Sequence, residues 1–120
     1  MQILNRTGLP RTATARRFEG LLFGEIDVSF FWVDTLPGQG SSLHVHPYPE
    51  VFVIHAGQAL FVVGDEQHSA VGGQIVIVPP HTPHQFTNVG AEPLQLIAIH
   101  PSARIEQICL EPSGIKALKV

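Results

Sequence analysis

Two histidines and a glutamate lie close together in the segment HVHPYPE, residues 44–50. His44 and His46 are two residues apart, so in a β-strand their side chains point to the same face. Glu50 begins the apolar run EVFVIHA and shares its strand face with Phe52 and Ile54. Burying a carboxylate on such a face costs free energy unless the group has a partner. A bound metal ion would supply that partner.

A third histidine occurs in a second polar segment, PPHTPHQFTN, residues 79–88. In a strand, His84, Phe86 and Asn88 share one face. If this strand lies across the fold from the first, three imidazoles and one carboxylate converge. Nitrogen and oxygen ligands of this kind suit divalent Fe, Zn, Mn, Ni, Co or Cu rather than Ca or Mg. The residues therefore favour one divalent transition metal per chain.

Other residues with reactive side chains give weaker indications. His100 shares its face with Leu94, Leu96 and Ala98, so it either approaches the cavity as a catalytic acid or base or has a structural role at a strand end. Tyr48 is expected at the rim of the site. Cys109 has no nearby histidine or second cysteine, which argues against nucleophilic catalysis.

The elements that must position these residues are short strands. Runs rich in Val, Ile, Phe and Leu are separated by Gly and Pro turn signals, and they occupy residues 26–33, 50–56, 59–63, 74–78, 84–89 and 94–99. This spacing predicts an all-β sandwich or barrel. The segment ARIEQICLE near the end is expected to form one more strand rather than a short helix. No linker or repeat is visible, so we expect one domain over residues 1–120.

The composition excludes several classes of function. Only 14% of the 120 residues are Asp, Glu, Lys or Arg, and the formal net charge is −3. This offers no broad basic field for nucleic acid, and no apolar stretch has the roughly 20 residues of a membrane span. One cysteine and no secretory signal favour a cytoplasmic location. Residues 1–20 contain four arginines and are expected to form an arm along the body or along a neighbouring chain.

The two histidine segments together resemble the motifs of the cupin superfamily. The first motif corresponds to Gly38, His44, His46, Glu50 and Gly57, within residues 38–57. The second corresponds to Gly73, Pro79, His84 and Asn88, within residues 73–88, and His81 stands where the family usually has Gly. Nine of the ten fixed positions agree. A position that usually holds Gly often requires positive φ, so His81 is expected in an outward-facing turn rather than as a fifth metal ligand.

The resemblance implies a small antiparallel β-barrel of the jelly-roll-like, double-stranded β-helix kind. It also implies that His44, His46, Glu50 and His84 bind one metal inside the barrel. Phe52, Phe86 and Asn88 are the candidates for a substrate pocket, although Asn88 has a structural role in most of the family. His100 is the one named candidate for a catalytic group.

The resemblance leaves two classes of function open. The first is a metal-dependent enzyme acting on a small molecule, in which dioxygenase-like chemistry is favoured over isomerase or lyase chemistry. The second is a non-catalytic module that binds or senses a small ligand around a structural metal. The pocket candidates are mainly apolar, with few Lys or Arg side chains to hold a phosphate or carboxylate. The low charge and the apolar faces of residues 94–99 favour a homodimer.

Overall fold

The computed structural model describes residues 1–111 and the backbone of residues 116–119. Within these residues the chain forms short antiparallel strands and two 3₁₀ turns, at Arg6–Gly8 and Gly20–Phe23. The strands are β1 (Ala15–Glu19), β2 (Ser29–Thr35), β3 (His44–Val45), β4 (Glu50–Ala56), β5 (Gln58–Val63), β6 (Glu66–Val71), β7 (Ile75–Val78), β8 (His84–Asn88), β9 (Leu94–His100), β10 (Ile108–Leu110) and β11 (Lys116–Lys119). The prediction of an all-β fold is confirmed.

The strands form two sheets. The first has the order β1-β2-β9-β4-β7, and the second has the order β11-β10-β3-β8-β5-β6. Neighbours in both sheets are antiparallel. Chain neighbours β3 and β4 therefore lie in different sheets, which brings His46 and Glu50 together from two sides.

The core lies between the sheets and follows the alternation of the strands. Along β4, Glu50, Phe52 and Ile54 are buried while Val53 and His55 are exposed. Along β9, Leu94, Leu96, Ala98 and His100 are buried, as their common parity predicts. Phe52, Phe61 and Phe86 pack against one another with ring centroids 5.0 to 5.8 Å apart. This aromatic cluster is the apolar wall below the histidines.

Two turns between strands depend on glycine. The β5–β6 hairpin turns through Gly64 and Asp65, and Gly64 has φ of 60°. Gly57, between β4 and β5, has φ of 95°, and an added Cβ would lie 2.8 Å from the Pro93 carbonyl oxygen. A side chain at residue 57 would therefore be strained in its backbone and also collide with a neighbouring strand.

The predicted arm forms regular structure along the body of the molecule. Residues 15–19 of this arm are β1, which pairs with β2 of the same chain from Ala15–Val33 to Glu19–Ser29. The Arg6 guanidinium lies over the Trp32 ring, 4.9 Å from its centroid. The tail segment forms a strand, β10, which pairs with β3 at His44. The tail thus borders the strand that carries His44, and the arm extends the first sheet beyond β2.

Candidate metal centre

His44 and His84 are direct cross-strand neighbours. The two residues pair in register between β3 and β8 of the second sheet, and their ring centroids are 4.3 Å apart. The expectation that His84 lies on a strand across the fold from His44 is wrong. The residue that faces them from the opposite sheet is Glu50, because β4 belongs to the first sheet.

The four side chains converge on one point in the interior. Oε1 of Glu50 lies 2.6 Å from Nε2 of His46, 2.8 Å from Nε2 of His84 and 3.8 Å from Nε2 of His44. One ligand atom from each of the four residues falls within 4.8 Å of the others, and all four residues are buried. The sequence-based set of His44, His46, Glu50 and His84 is therefore assembled as a candidate metal site.

Backbone carbonyls orient the three imidazoles. The Nδ1 atoms of His44, His46 and His84 lie 2.7, 3.1 and 2.8 Å from the carbonyl oxygens of residues 42, 48 and 82. A carbonyl oxygen only accepts hydrogen bonds, so each Nδ1 carries a proton and donates. In the neutral ring this leaves the Nε2 lone pair directed at the common point. Such a second hydrogen bond is the usual way in which a metal-binding histidine is fixed.

The donor set fits a cation. With neutral imidazoles, three nitrogen lone pairs would face an ionised carboxylate oxygen in a buried site. Burial alone would raise the pKa of the Glu50 carboxyl, but the imidazoles around it favour the ionised form and hold that pKa well below its usual range. A divalent ion at the common point would satisfy all four donors at once.

The second oxygen of Glu50 faces His100. Nε2 of His100 lies 3.2 Å from Oε2 of Glu50 but makes no aligned hydrogen bond, so the approach is an electrostatic contact. Nδ1 of His100 lies 2.7 Å from the Tyr48 hydroxyl, which accepts a hydrogen bond of 2.9 Å from the backbone N–H of Glu106. Burial lowers the pKa of His100, against an opposing effect of Glu50, and so favours the neutral ring.

These contacts fix the tautomer of His100. A carboxylate oxygen accepts only, so the single ring proton belongs on Nε2, and Nδ1 accepts the Tyr48 hydroxyl. Tyr48 is thus a half-buried support of the site rather than a rim residue as expected from the sequence. Nε2 of His100 lies against Oε2 of Glu50, while Oε1 faces the other three histidines.

A cavity of about 280 Å³ opens beside the cluster. Its lining includes His44, Glu50 and His100 together with Phe52 and Phe86, the two aromatic residues named as pocket candidates. The volume is slightly below the roughly 300 Å³ at which pockets for drug-sized ligands begin. A larger cavity of about 670 Å³ lies beside β6 and β7 and contains none of the four cluster residues.

The remaining sequence candidates lie away from this cavity. Asn88 is buried and donates hydrogen bonds to the carbonyls of Thr35 and Glu92, so its amide joins loops and does not line the cavity. His81 has φ of 58° and is exposed, as expected for an outward-facing turn residue.

Arg17 is the residue of this cavity that sequence reasoning missed. It lines the cavity from β1, where the inward face also carries the buried Ala15. The alternation of Ala15, Arg17 and Glu19 was the available signal, but residues 1–20 were expected as an arm along the body or along a neighbouring chain and not as part of the cavity wall. Among the described residues that line this cavity, Arg17 is the one Lys or Arg side chain.

A family model described as "Cupin domain" matches residues 31–100. The match covers more than half of the chain and includes all four cluster residues. The chain belongs to the cupin family. The two antiparallel sheets are the jelly-roll-like fold that the sequence motifs predict.

Known proteins similar to this cupin include one curated relative and several solved structures. An uncharacterised protein of Methanocaldococcus jannaschii is 31% identical over 61 residues, which is 50% of this chain and 49% of that protein. A Bacillus subtilis oxalate decarboxylase structure, whose description names Mn(II) centres, matches with a TM-score of 0.75 and 21% identity. It covers 83% of this chain and 29% of its own chain. A Lactobacillus farciminis oxalate decarboxylase in a formate complex matches with a TM-score of 0.75 and 21% identity, covering 84% of this chain and 32% of its own.

These similarities cover only part of the length of each relative. The cupin chain spans about half of the curated relative and less than a third of the two oxalate decarboxylases. At 21% identity the solved structures show the common fold. None of the helices in the described part of the chain is long and apolar enough to cross a membrane.

Proposed function

We propose that this cupin is a metal-dependent enzyme that acts on a small molecule. The observation that carries the proposal is the convergence of three Nε2 atoms and Glu50 Oε1 beside a cavity of about 280 Å³. A purely structural site has no need of an adjoining cavity. The metal is one divalent transition ion per chain, from Fe, Zn, Mn, Ni, Co or Cu, and Mn gains support from the named Mn(II) centres of one structural relative.

Each group of the site has a defined task in this proposal. His44, His46, His84 and Glu50 hold the ion, which when bound supplies Lewis-acid or redox chemistry. His100 restrains Oε2 of Glu50 so that Oε1 stays directed at the centre. Phe52 and Phe86 limit the access of water and orient the apolar part of a substrate.

Dioxygenase-like chemistry is our preferred reaction class. Four protein ligands leave about two positions open on an ion that takes about six, which resembles the open coordination of non-haem iron oxygenases. Isomerase or lyase chemistry is second, because a divalent ion that polarises a carbonyl needs the same open positions. The structural similarity to oxalate decarboxylases also supports lyase chemistry within this second reaction class.

The alternative function is a binding or sensing cupin with a structural metal. The apolar part of the cavity wall, which includes Phe31, Phe52 and Phe86, favours it, because such a wall retains a ligand without taking part in a reaction. In that case the pocket binds its ligand, but no reaction of the ligand is catalysed.

Nitric oxide binding to the Fe(II) protein tests whether the site is open. Anaerobically loaded Fe(II) protein is expected to bind nitric oxide and to give a paramagnetic resonance signal. Full iron loading without nitric oxide binding would contradict the oxygenase proposal and favour the binding module. Oxygen uptake with a panel of small substrates then separates oxygenase from isomerase chemistry.

We also propose that the chain is a single domain and forms a homodimer. The four motif ligands come from both sheets, so a boundary between the motifs would divide the site. The support for a dimer is the apolar outer surface of the first sheet, on which Ile75 and Ile77 are 62% and 68% exposed. Surfaces of this kind are commonly covered by a second copy.

A further inference from the structure

Arg17 gives the metal-site cavity its only cationic side chain apart from histidines, among the described residues that line it. The residue lies on β1, whose opposite face carries Phe18, which stacks on Phe30 with ring centroids 4.8 Å apart. Strand alternation and this packing therefore keep Arg17 directed toward the cavity side. Its side chain is 38% exposed, so the guanidinium lies at the rim rather than at the bottom.

The Arg17 guanidinium has an acidic neighbour but is not fully hydrogen-bonded. Its closest acidic neighbour is Glu19, whose Oε1 lies 3.5 Å from Nε. The other carboxylate oxygen of Glu19 accepts a hydrogen bond of 3.1 Å from the backbone N–H of Ile105, which fixes Glu19 in place. The Arg17 side chain donates no hydrogen bond to any described residue, and its backbone N–H is occupied by the Pro10 carbonyl, so the parallel N–H groups of the guanidinium are available for an anion.

A row of side chains connects this rim to the metal centre. Arg17 pairs in register with Phe31 on β2. The Phe31 ring contacts the His100 ring edge-on, with centroids 5.6 Å apart, and His100 contacts Glu50. Arg17 is thus separated from the metal-binding carboxylate by two side chains, and the wall between them is partly aromatic.

We propose that this cavity accepts a small organic acid, with Arg17 as the residue that selects the acid. The carboxylate lies against Arg17, the carbon skeleton lies against Phe31 and Phe52, and an oxygen of the other end reaches the metal centre. One guanidinium presents two parallel donors, which match one carboxylate. The volume of about 280 Å³ restricts the ligand to a compact acid. This inference rests on the proposed function and adds the substrate class.

The test compares linear dicarboxylates with their own monoamides. Zn(II)-loaded full-length protein is titrated calorimetrically with each diacid from malonate to adipate and with the corresponding monoamide. Both compounds of a pair have one carboxylate for the metal, but only the diacid has a second for Arg17. At one or more lengths the diacid is expected to bind at least about tenfold more tightly, as a charge-assisted hydrogen bond allows.

Substitutions then assign this preference to one side chain. R17Q is expected to remove the preference for the diacid, and R17K to keep part of it, because the charge remains while the fork of donors is lost. R104Q is the control, since Arg104 is exposed and does not line the cavity. It should bind both compounds as the wild type does.

Two results would overturn the proposal: no diacid preference at any length in the wild type, or an equal preference in R17Q. The wild-type comparison decides the matter even if R17Q does not fold. Metal content is measured before and after each titration. A fully loaded protein that ignores the second carboxylate contradicts the acid proposal alone, whereas a wild type that cannot hold metal contradicts the proposed function.

Discussion

Glu50 shows how one residue can depend on contacts from two sheets. It begins β4 in the first sheet, while His44 and His84 reach it from the second sheet and His100 reaches it from β9. Its two carboxylate oxygens have different neighbours, so the group is held in one orientation. A carboxylate that is buried, ionised and pre-oriented is suited to bind an ion through a single oxygen.

Replacing His46 tests the assignment of ligands. His46→Ala is expected to lower metal affinity by more than about 100-fold, since loss of even an outer-shell contact costs about 10–100-fold. The measurement is metal content by mass spectrometry after dialysis. His55→Ala is the matched control, because His55 is exposed on β4 and outside the cluster. Stoichiometric metal in His46→Ala would remove His46 from the ligand set.

Tyr48 provides a spectroscopic probe of the support behind Glu50. Burial raises its pKa from 10.0 to about 12, against the opposing effect of the hydrogen bond from the Glu106 backbone. A raised pKa means that the neutral hydroxyl is favoured in the folded state. Its contribution to stability is therefore complete below pH 10 and is lost as the pH rises toward 12.

The chain has one tyrosine, so tyrosinate absorbance reports this residue alone. Metal-free folded protein is expected to titrate near pH 12, and protein unfolded in guanidinium chloride near pH 10. The difference between the two titrations measures the burial of the Tyr48 hydroxyl, together with the opposing hydrogen bond from Glu106 and the charge of Glu50. A folded-state midpoint near pH 10 would place the hydroxyl in water and contradict the proposed support of His100.

At the scale of elements, the sequence predicts which side chains share a strand face, but it does not predict which strands pair with each other. The common faces of His44 with His46, and of Glu50 with Phe52, follow from the period of two in a strand. Which strands become neighbours depends on contacts between distant residues, so the pairing of His44 with His84 was missed. Strand β6 carries no apolar run of its own, because its sequence, EQHSAV, is largely polar and is exposed except at Ala70.

Gly57 illustrates how a turn fixes the relation between two such elements. Gly57 and Gly73 have φ of 95° and 90°, but an added Cβ would meet backbone atoms of Pro93 and Leu94 at Gly57 and nothing within 4 Å at Gly73. Gly8 has neither positive φ nor a close neighbour. Comparing the three positions therefore separates the effect of backbone strain, present at Gly57 and Gly73, from that of steric collision, present at Gly57 alone among the three.

Alanine substitutions at these three glycines are expected to lower the free energy of unfolding by different amounts. Gly73→Ala is expected to lower the free energy of unfolding by about 1–3 kcal/mol because of strain, Gly57→Ala by more, and Gly8→Ala by little. Chemical denaturation of each variant measures the values. Equal effects at Gly57 and Gly73 would show that the strand following Pro93 moves to accommodate a methyl group.

At the scale of the whole molecule, the outer face of the first sheet carries two apolar rows. One row runs across four strands through Trp32, Ile97, Val53 and Ile75, which are paired in register. The other runs in the same way through Phe30, Ile99, Val51 and Ile77. None of these eight side chains is charged, and the Arg6 guanidinium lies over the Trp32 end of the first row, so the uncharged surface on which a second copy can pack is centred on Val53 and Ile97. This regular surface explains the low charge content better than the core does.

A single charge at the centre of this face should separate the proposed dimer. Val53 is 38% exposed and lies in the middle of one row, so Val53→Lys would bury an unpaired ammonium group in the interface. Val71 is 44% exposed on β6 of the other sheet, which makes Val71→Lys a control of the same chemistry and similar exposure. Light scattering at micromolar concentration is expected to give the mass of two chains for the wild type and Val71→Lys. Val53→Lys is expected to give the 13.1 kDa of one chain.

Metal content should be measured with each mass, because β4 carries Val53 outward and Glu50 inward. If Val53→Lys dissociates into single chains but keeps its metal, the effect belongs to the outer face. A wild type that has the mass of one chain, or a Val53→Lys variant that keeps the mass of two, would show that this face is not the interface.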